Sequence, residues 1–262
     1  MDWALNLERI VLSLLRPMED VLPLSVAPTM PFVAHDFGQT FSKSSDALRR
    51  IRADIVAGKL QPGQKLSFKF LVTCYDMGTS PLREALCQLA GQGMVELESQ
   101  RGFRVAPVSR ADLEDVIAMR AHAEIYAAGL SITRGNDAWR RNLGDASLAF
   151  TLVAAKAGDQ RPIDERWEEI HRRFHFALIG ACGSPTLLQF CKQIYHRYDR
   201  YRRIAIPVQA VMAGPAQDHR EITQAALSGN SKQAQSLLRR HIDDMAGVVL
   251  ERYHRGAWMP KD

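Results

Sequence analysis

The sequence has few cysteines, no long hydrophobic run and no large excess of either charge. Only four cysteines occur in 262 residues and none forms a CxxC pair, so a disulfide framework is not predicted. There is no run of 18 apolar residues, and charged residues interrupt the first two dozen positions. This pattern favours neither a membrane span nor a secretory signal. We therefore expect a cytoplasmic protein with reduced cysteines.

The positive charge is concentrated in one quarter of the chain. Residues 41–110 contain eleven Lys or Arg against six Asp or Glu, so their net charge of +5 equals that of the whole chain. A basic segment joined to a neutral one is typical of a nucleic-acid-binding module attached to another domain. A solvated basic face is the alternative, and charge alone does not exclude it.

The basic segment has the order of elements of a winged helix-turn-helix. Apolar spacing predicts helices over 44–57, 68–75 and from Ser80 to about 91, and a hairpin over 94–105. Ser44 or Ser45 is expected to cap the first helix. Ser80 is expected to cap the third, with Pro81 at its first helical position.

From residue 110 onward the chain shows only helical periodicity. Glycines and prolines divide it into predicted helices over 111–134, 136–157, 164–181, 185–205, 216–228 and 231–254. The predicted fold class is mainly α: a winged helix-turn-helix domain at 41–108 followed by an all-α bundle of six or seven helices at 109–255. Residues 1–40 are expected to be a poorly ordered leader and 256–262 a tail, with Met30 as an alternative start.

A helix-turn-helix places its third helix in the major groove of DNA, where base edges are distinguishable. The candidate DNA contacts are Lys69, Thr79, Ser80, Arg83, Arg101 and Gly102. Arg83 can donate two parallel hydrogen bonds to guanine, and Lys69 can neutralise a phosphate. The Arg101–Gly102 turn can enter or flank the minor groove. Each residue alone is more typical of an ordinary surface or turn position, so the prediction depends on the ordered set.

Residues 45–107 resemble the DNA-binding domain of the GntR superfamily. The matching segments are Ile55–Gly63, Ser80–Leu86, Gly93–Val95 and Arg101–Val105. The resemblance implies a homodimer that binds a near-palindromic double-stranded operator, with repression as the expected outcome. The family's commonest recognition helix opens with Ser-Arg-Thr-Pro, whereas this one reads Gly78-Thr79-Ser80-Pro81. The resemblance therefore does not predict which operator sequence this chain binds.

Four histidines in the helical part are candidate metal ligands: His171, His175, His219 and His241. His171 and His175, at i and i+4, share one helix face. Imidazole suits zinc, nickel and related ions, so a divalent metal site inside the bundle is predicted. Ordinary surface or core histidines are the alternative. A metal site in a bundle is also compatible with an enzyme.

Residues 113–250 resemble the FCD ligand-binding domain of the FadR branch of the same superfamily. Within this branch, the motifs His171-x3-His175, Ala181–Ser184 and Arg134–Trp139 resemble in particular the carbon-starvation-induced regulators. The matching segments are Met119–Glu124, Phe174–Leu178, Gly183–Leu188, His219–Ile222 and Arg240–His241. Many FCD domains hold a divalent metal through Asp or Asn and three histidines. By this resemblance His171 stands where Asp or Asn is usual, and the other three histidines fall on the family positions.

The same resemblance implies a small carboxylate effector, with a dicarboxylate as the first expectation. It makes Arg120 the candidate carboxylate partner, since guanidinium binds carboxylates through paired hydrogen bonds. A structural ion pair between Arg120 and Glu124 at i+4 is the alternative.

The expected function is a nucleoid-associated transcriptional regulator without enzyme activity, whose operator binding responds to an organic acid bound at the metal. Two alternatives stay open at this point. One is a metal-dependent helical enzyme that uses the histidines, for which Glu168 and Glu169 are only ordinary candidates as general base. The other is a nucleic-acid-binding scaffold without a ligand.

Overall fold

The computed structural model describes residues 42–98, 102–157, 165–205 and 215–254. All of them belong to one compact unit. Their elements, in chain order, are α1 (Lys43–Val56), β1 (Lys65–Leu66), α2 (Phe68–Tyr75), α3 (Thr79–Gly91), β2 (Val95–Glu98), β3 (Gly102–Val105), α4 (Arg110–Arg134), α5 (Asp137–Ala157), α6 (Glu165–Ile179), α7 (Pro185–Ala205), α8 (Pro215–Leu227) and α9 (Ser231–His254). The predicted mainly α fold class is confirmed. The predicted leader, Met30 and the tail lie outside the described residues.

The first helices surround a small apolar core, as the spacing predicts. Ile51 and Ile55, one turn apart on α1, are fully buried with Leu71 of α2 and Leu82 and Leu86 of α3. Burying a side chain of this size contributes about 1.5–3 kcal/mol relative to leaving it exposed. This core fixes the orientation of α3, the helix expected to face DNA.

Two predicted helix caps are wrong. Ser42 caps α1, because its Oγ accepts a hydrogen bond from the N–H of Ser45 at 3.2 Å and the helix already begins at Lys43. Gly78 is the N-cap of α3, so Ser80 lies inside the helix and Pro81 is its third residue. Proline fits there because the N–H groups of the first turn have no intrahelical partner to lose.

The predicted hairpin is confirmed, and it belongs to a three-stranded sheet. β2 pairs antiparallel with β3, with Leu97 opposite Phe103. β3 also pairs with β1, so the strand order is β1-β3-β2. The sequence analysis missed β1 because two residues are too few for an alternating pattern to be recognised.

The second part of the described chain is helical, and its six helices match the six predicted ones to within about two residues at each end. Buried side chains from all six of these helices, α4 to α9, form one apolar cluster. A second cluster joins the start of α4 to α7 and α9. None of the described helices combines the length and the apolar character needed to cross a membrane.

Helix α7 joins the helical part to the first part of the chain. It packs against α1, and its Arg200 donates a hydrogen bond to the carbonyl oxygen of Ala106, in the linker that follows β3. The hydroxyl of Tyr201 donates to Asp112 at 2.6 Å, and its oxygen accepts from the N–H of Ser109 at 3.1 Å. The start of α4 is thereby fixed to α7.

Candidate DNA-binding surface and metal centre

The N-terminus of α3 is open to solvent. Thr79 and Ser80 are exposed, no acidic residue lies in the first turn, and Gly78 provides no side-chain cap. The first backbone N–H groups therefore have neither a helical partner nor a capping acceptor, and the helix dipole is positive at this end. Such a terminus favours a negatively charged group such as a DNA phosphate.

The basic candidates border this terminus. Arg83 is exposed on α3, and its guanidinium carbon lies 4.7 Å from the centre of the Phe68 ring. Lys69, the next residue on α2, is also exposed. Gly102 begins β3 with φ at +92°, and the position that a Cβ would occupy faces open space, which permits the predicted close backbone approach. Arg101 lies outside the described residues.

The structure brings the four predicted histidines together. His171 and His175 come from α6, His219 from α8 and His241 from α9, and all four are buried. One ring nitrogen from each lies within 4.8 Å of the others. The Nε2 atoms of His171 and His175 are 3.2 Å apart. Two imidazoles on one zinc ion, each at about 2.1 Å, are separated by similar distances, so the donor set fits a divalent metal.

Carboxylates orient two of the rings from outside. Nδ1 of His175 lies 3.2 Å from Oε2 of Glu124, and Nδ1 of His241 lies 3.3 Å from Oδ2 of Asp218. An ionised carboxylate only accepts hydrogen bonds, so both Nδ1 atoms carry the proton. The Nε2 atoms of both rings then keep their lone pairs for a ligand, which is the usual arrangement around histidine metal ligands.

Burial keeps His171 and His175 neutral. It lowers the pKa of His171 well below its ordinary value, and the neighbouring histidines act in the same direction. Burial also lowers the pKa of His175 to about 4, against the opposing hydrogen bond to Glu124. Neutral imidazole is the form that binds a metal.

Aromatic rings enclose the histidines. Trp167 stacks on His171 with ring centres 4.8 Å apart, and Phe150 lies 4.2 Å from His219. On another side the hydroxyl of Tyr195, from α7, lies 3.3 Å from Nδ1 of His171. The apolar rings limit access of water to the cluster, while Tyr195 connects it to α7.

Arg120 forms an ion pair with Glu124, which the sequence analysis gave as the alternative to binding an effector carboxylate. Its Nε donates to Oε1 of Glu124 at 2.8 Å, and both side chains are buried. Burial alone would raise the pKa of Glu124, but the charge of Arg120 and the hydrogen bond from His175 lower it to about 2. Arg120, Glu124 and His175 thus form a continuous polar chain that leads to the histidines.

Sequence reasoning did not assign three residues of this site. Asp218 precedes His219 directly, and a carboxylate next to a candidate ligand was an available signal. Glu124 was considered only as a partner of Arg120. Tyr195 gave no local signal, because its proximity to His171 depends on how α6 and α7 pack.

Two family descriptions cover most of the described chain. Residues 43–105 match bacterial regulatory proteins of the gntR family, and residues 115–244 match the FCD domain. The chain is also 35% identical over 204 residues to the HTH-type transcriptional repressor GlaR of Escherichia coli (strain K12), covering 76% of this chain and 92% of the relative. The chain belongs to the GntR family.

Further relatives of this GntR regulator support the assignment to the family. It is 31% identical over 202 residues to the uncharacterized HTH-type transcriptional regulator BphR of Paraburkholderia xenovorans (strain LB400), covering 77% of this chain and 82% of the relative. The solved structure of E. coli McbR/YncC has the same fold, with a TM-score of 0.70 at 17% identity over 82% of this chain and all of that chain. The family is one of transcriptional regulators rather than enzymes, so the enzyme alternative is set aside.

Proposed function

We propose that this GntR regulator is a homodimeric repressor whose operator binding changes when a small carboxylate binds at a divalent metal in its FCD domain. The observation that carries the proposal is the buried four-histidine cluster, with Glu124 and Asp218 holding two Nδ1 protons outward. Buried polar groups need partners, and a metal ion would satisfy the inward Nε2 lone pairs. A DNA-binding role implies a place beside the chromosome in the cytoplasm.

His171, His175, His219 and His241 would hold the metal, which when bound supplies a Lewis acid for an effector carboxylate. Imidazole ligands suit zinc or nickel, and four imidazoles make a neutral ligand set, whereas Asp at position 171 would add a negative charge. A neutral set leaves the full positive charge of the ion for an anionic effector. With Nε2 of His171 as a ligand, its Nδ1 holds the proton and donates to the hydroxyl oxygen of Tyr195.

The effector carboxylate would also meet Arg120 and Tyr198. Within the described chain Arg120 uses only Nε for hydrogen bonding, so its terminal nitrogens keep their donors. Its guanidinium carbon lies 4.5 Å from the centre of the Tyr198 ring, and the hydroxyl of Tyr198 is buried with no hydrogen-bond partner among the described residues. A carboxylate between these groups would satisfy both.

Helix α7 provides a physical connection from the site to the DNA-binding domain. Tyr195 contacts His171, whereas Arg200 and Tyr201, less than two turns further on, hold the linker and the start of α4. An effector that binds one position of α7 more tightly than another therefore shifts the population of domain arrangements. In a dimer such a shift changes the spacing of the two recognition helices and hence the fit to both operator half-sites.

The test is a thermal-shift screen of mono- and dicarboxylates on metal-stripped protein, with and without added Zn²⁺ or Ni²⁺. A ligand of the native state raises the melting temperature. We expect carboxylates to stabilise the protein only when metal is present, and the active acid to change anisotropy-measured affinity for DNA from the protein's own promoter. Stabilisation independent of metal would remove the metal from the proposal, and no response to any acid would favour a DNA-binding scaffold without a ligand.

A further inference from the structure

Four basic side chains lie near enough to influence one another electrostatically where α1 of the DNA-binding domain packs against α7 of the FCD domain. Arg52 belongs to α1, Arg172 to α6, and Lys192 and His196 to α7. We call them the junction cluster. Lys192 and His196 share one face of α7 at i and i+4, and α7 packs against α1. The cluster is separate from the metal site, although Arg172 directly follows His171 in the chain.

The charged members of the junction cluster, Arg52, Arg172 and Lys192, repel one another. Burial, and then the charge of Arg172, lowers the pKa of Arg52. Burial, and then the charges of Arg52 and Arg172, lowers the pKa of Lys192, and the same causes lower that of His196 to about 3. Partly buried like charges that lower one another's pKa destabilise the fold unless a counter-charge is present.

Acidic partners within the described chain do not balance the cluster. Arg172 pairs with Glu169, whose side chain is mostly exposed. Asp199 acts on His196 but is already paired with Arg202 and Arg203. The only hydrogen bond of the Arg52 side chain there runs from Nη2 to Oε1 of Gln92 at 3.0 Å, and its Nε is buried without a hydrogen-bond partner among the described residues.

We propose that the junction cluster binds a small anion bearing a phosphate group, which links the DNA-binding domain to the FCD domain. Guanidinium and ammonium groups from three helices provide several charged donors, which suit a compact, multiply charged oxyanion. The buried Nε of Arg52 then has an acceptor.

The position of the cluster favours a small anion over the DNA backbone. Gln92, the partner of Arg52, follows the C-terminal end of α3, whereas the exposed terminus at Thr79 is the end expected to face DNA. Thirteen helical residues separate these ends by roughly 18–20 Å. A phosphate-bearing metabolite here would be a second input to the regulator, distinct from the carboxylate.

The test uses inorganic phosphate as the probe on the full chain, with chloride at matched ionic strength as the reference. We expect millimolar phosphate to raise the melting temperature more than chloride does. Lys192→Gln changes an exposed residue and keeps the core, and we expect it to weaken the apparent phosphate affinity roughly tenfold. In low-salt, phosphate-free buffer the same variant should melt higher than the wild type, since one like charge is gone.

Arg239→Gln is the matched control, because Arg239 is an exposed arginine on α9 that pairs with Asp243. It should respond to phosphate as the wild type does. Equal effects of phosphate and chloride on the wild type would overturn the proposal, as would a full phosphate response in Lys192→Gln. A loss of DNA affinity in Lys192→Gln without any phosphate effect would assign the cluster to DNA backbone contacts instead.

Discussion

The DNA-binding surface and the metal centre satisfy their polar groups in opposite ways. At the start of α3 the groups expected to contact DNA are exposed, and no side chain caps the helix. At the metal centre every proposed ligand is buried, and carboxylates orient two of the four rings. The first surface can exchange water for DNA at little structural cost, whereas changes at the second affect the packing of several helices. A substitution at the DNA-binding surface should therefore affect only the contact it removes, whereas a substitution at the metal centre should affect several neighbouring helices.

The largest effect is expected from His219→Ala. This change removes a buried ligand from α8, so we expect effector response to be lost while operator binding survives. Metal content by elemental analysis and promoter affinity by anisotropy, with and without effector, measure the two parts separately. His122→Ala is the control, because His122 is exposed on α4. An undiminished effector response in His219→Ala would contradict the metal-centred proposal.

Asp218→Ala tests whether the carboxylates orient the ligands. Asp218 is partly exposed and holds Nδ1 of His241, so its loss leaves no deeply buried charge unpaired. Loss of such an outer partner typically weakens metal binding about 10–100-fold. Competition with a chromophoric chelator gives the affinity. Asp243→Ala, on the exposed side of α9, should bind metal normally, and equal affinities of the two variants would show that Asp218 has no orienting role.

Arg83→Ala probes the exposed region. The change should weaken specific operator binding by about 1–3 kcal/mol, because a bidentate contact to a base is lost while the fold is unaffected. Arg49→Ala is the control, since Arg49 is an exposed arginine on α1. Anisotropy titrations on promoter and random duplex separate specific from non-specific affinity. If both duplexes weaken equally, Arg83 contacts phosphate rather than a base.

The two regions also differ in how far the sequence predicts them. The order of helices and the shared helix face of His171 and His175 follow from local periodicity and i to i+4 geometry, whereas the resemblance to FCD domains supported adding His219 and His241, and the structure agrees with both. The groups that orient the histidines depend on contacts between helices far apart in sequence. Tyr195 of α7 meets His171 of α6, and Glu124 of α4 meets His175, through packing that no local pattern specifies. The caps at Ser42 and Gly78 were missed because neighbouring serines offer equally good cap signals.

Tyr198→Phe is a finer test of the effector pocket. Removal of the buried hydroxyl leaves the ring against Arg120 in place, so the free protein should be about as stable as the wild type. Effector affinity should fall by about 0.5–1.5 kcal/mol, the contribution of one hydrogen bond. Isothermal titration calorimetry with the acid found in the screen measures it, and metal binding provides the internal control. Unchanged effector affinity would exclude the hydroxyl from the pocket.

The smallest effect concerns the pH dependence of metal-stripped protein. The pKa of His175 is about 4 in the folded chain and about 6.5 in an unfolded one, so the unfolded chain takes up the proton first as pH falls. Stability is therefore complete above about pH 6.5 and declines toward pH 4, and between pH 7.5 and 5.5 His175 alone accounts for about 1 kcal/mol. His171 acts in the same direction.

Urea unfolding of chelator-treated protein at the two pH values measures this loss of stability. Bound metal should add to the pH dependence, because it requires neutral imidazoles. Stability that is equal at both pH values, with an unchanged slope against urea, would show that His171 and His175 are not held neutral by the fold.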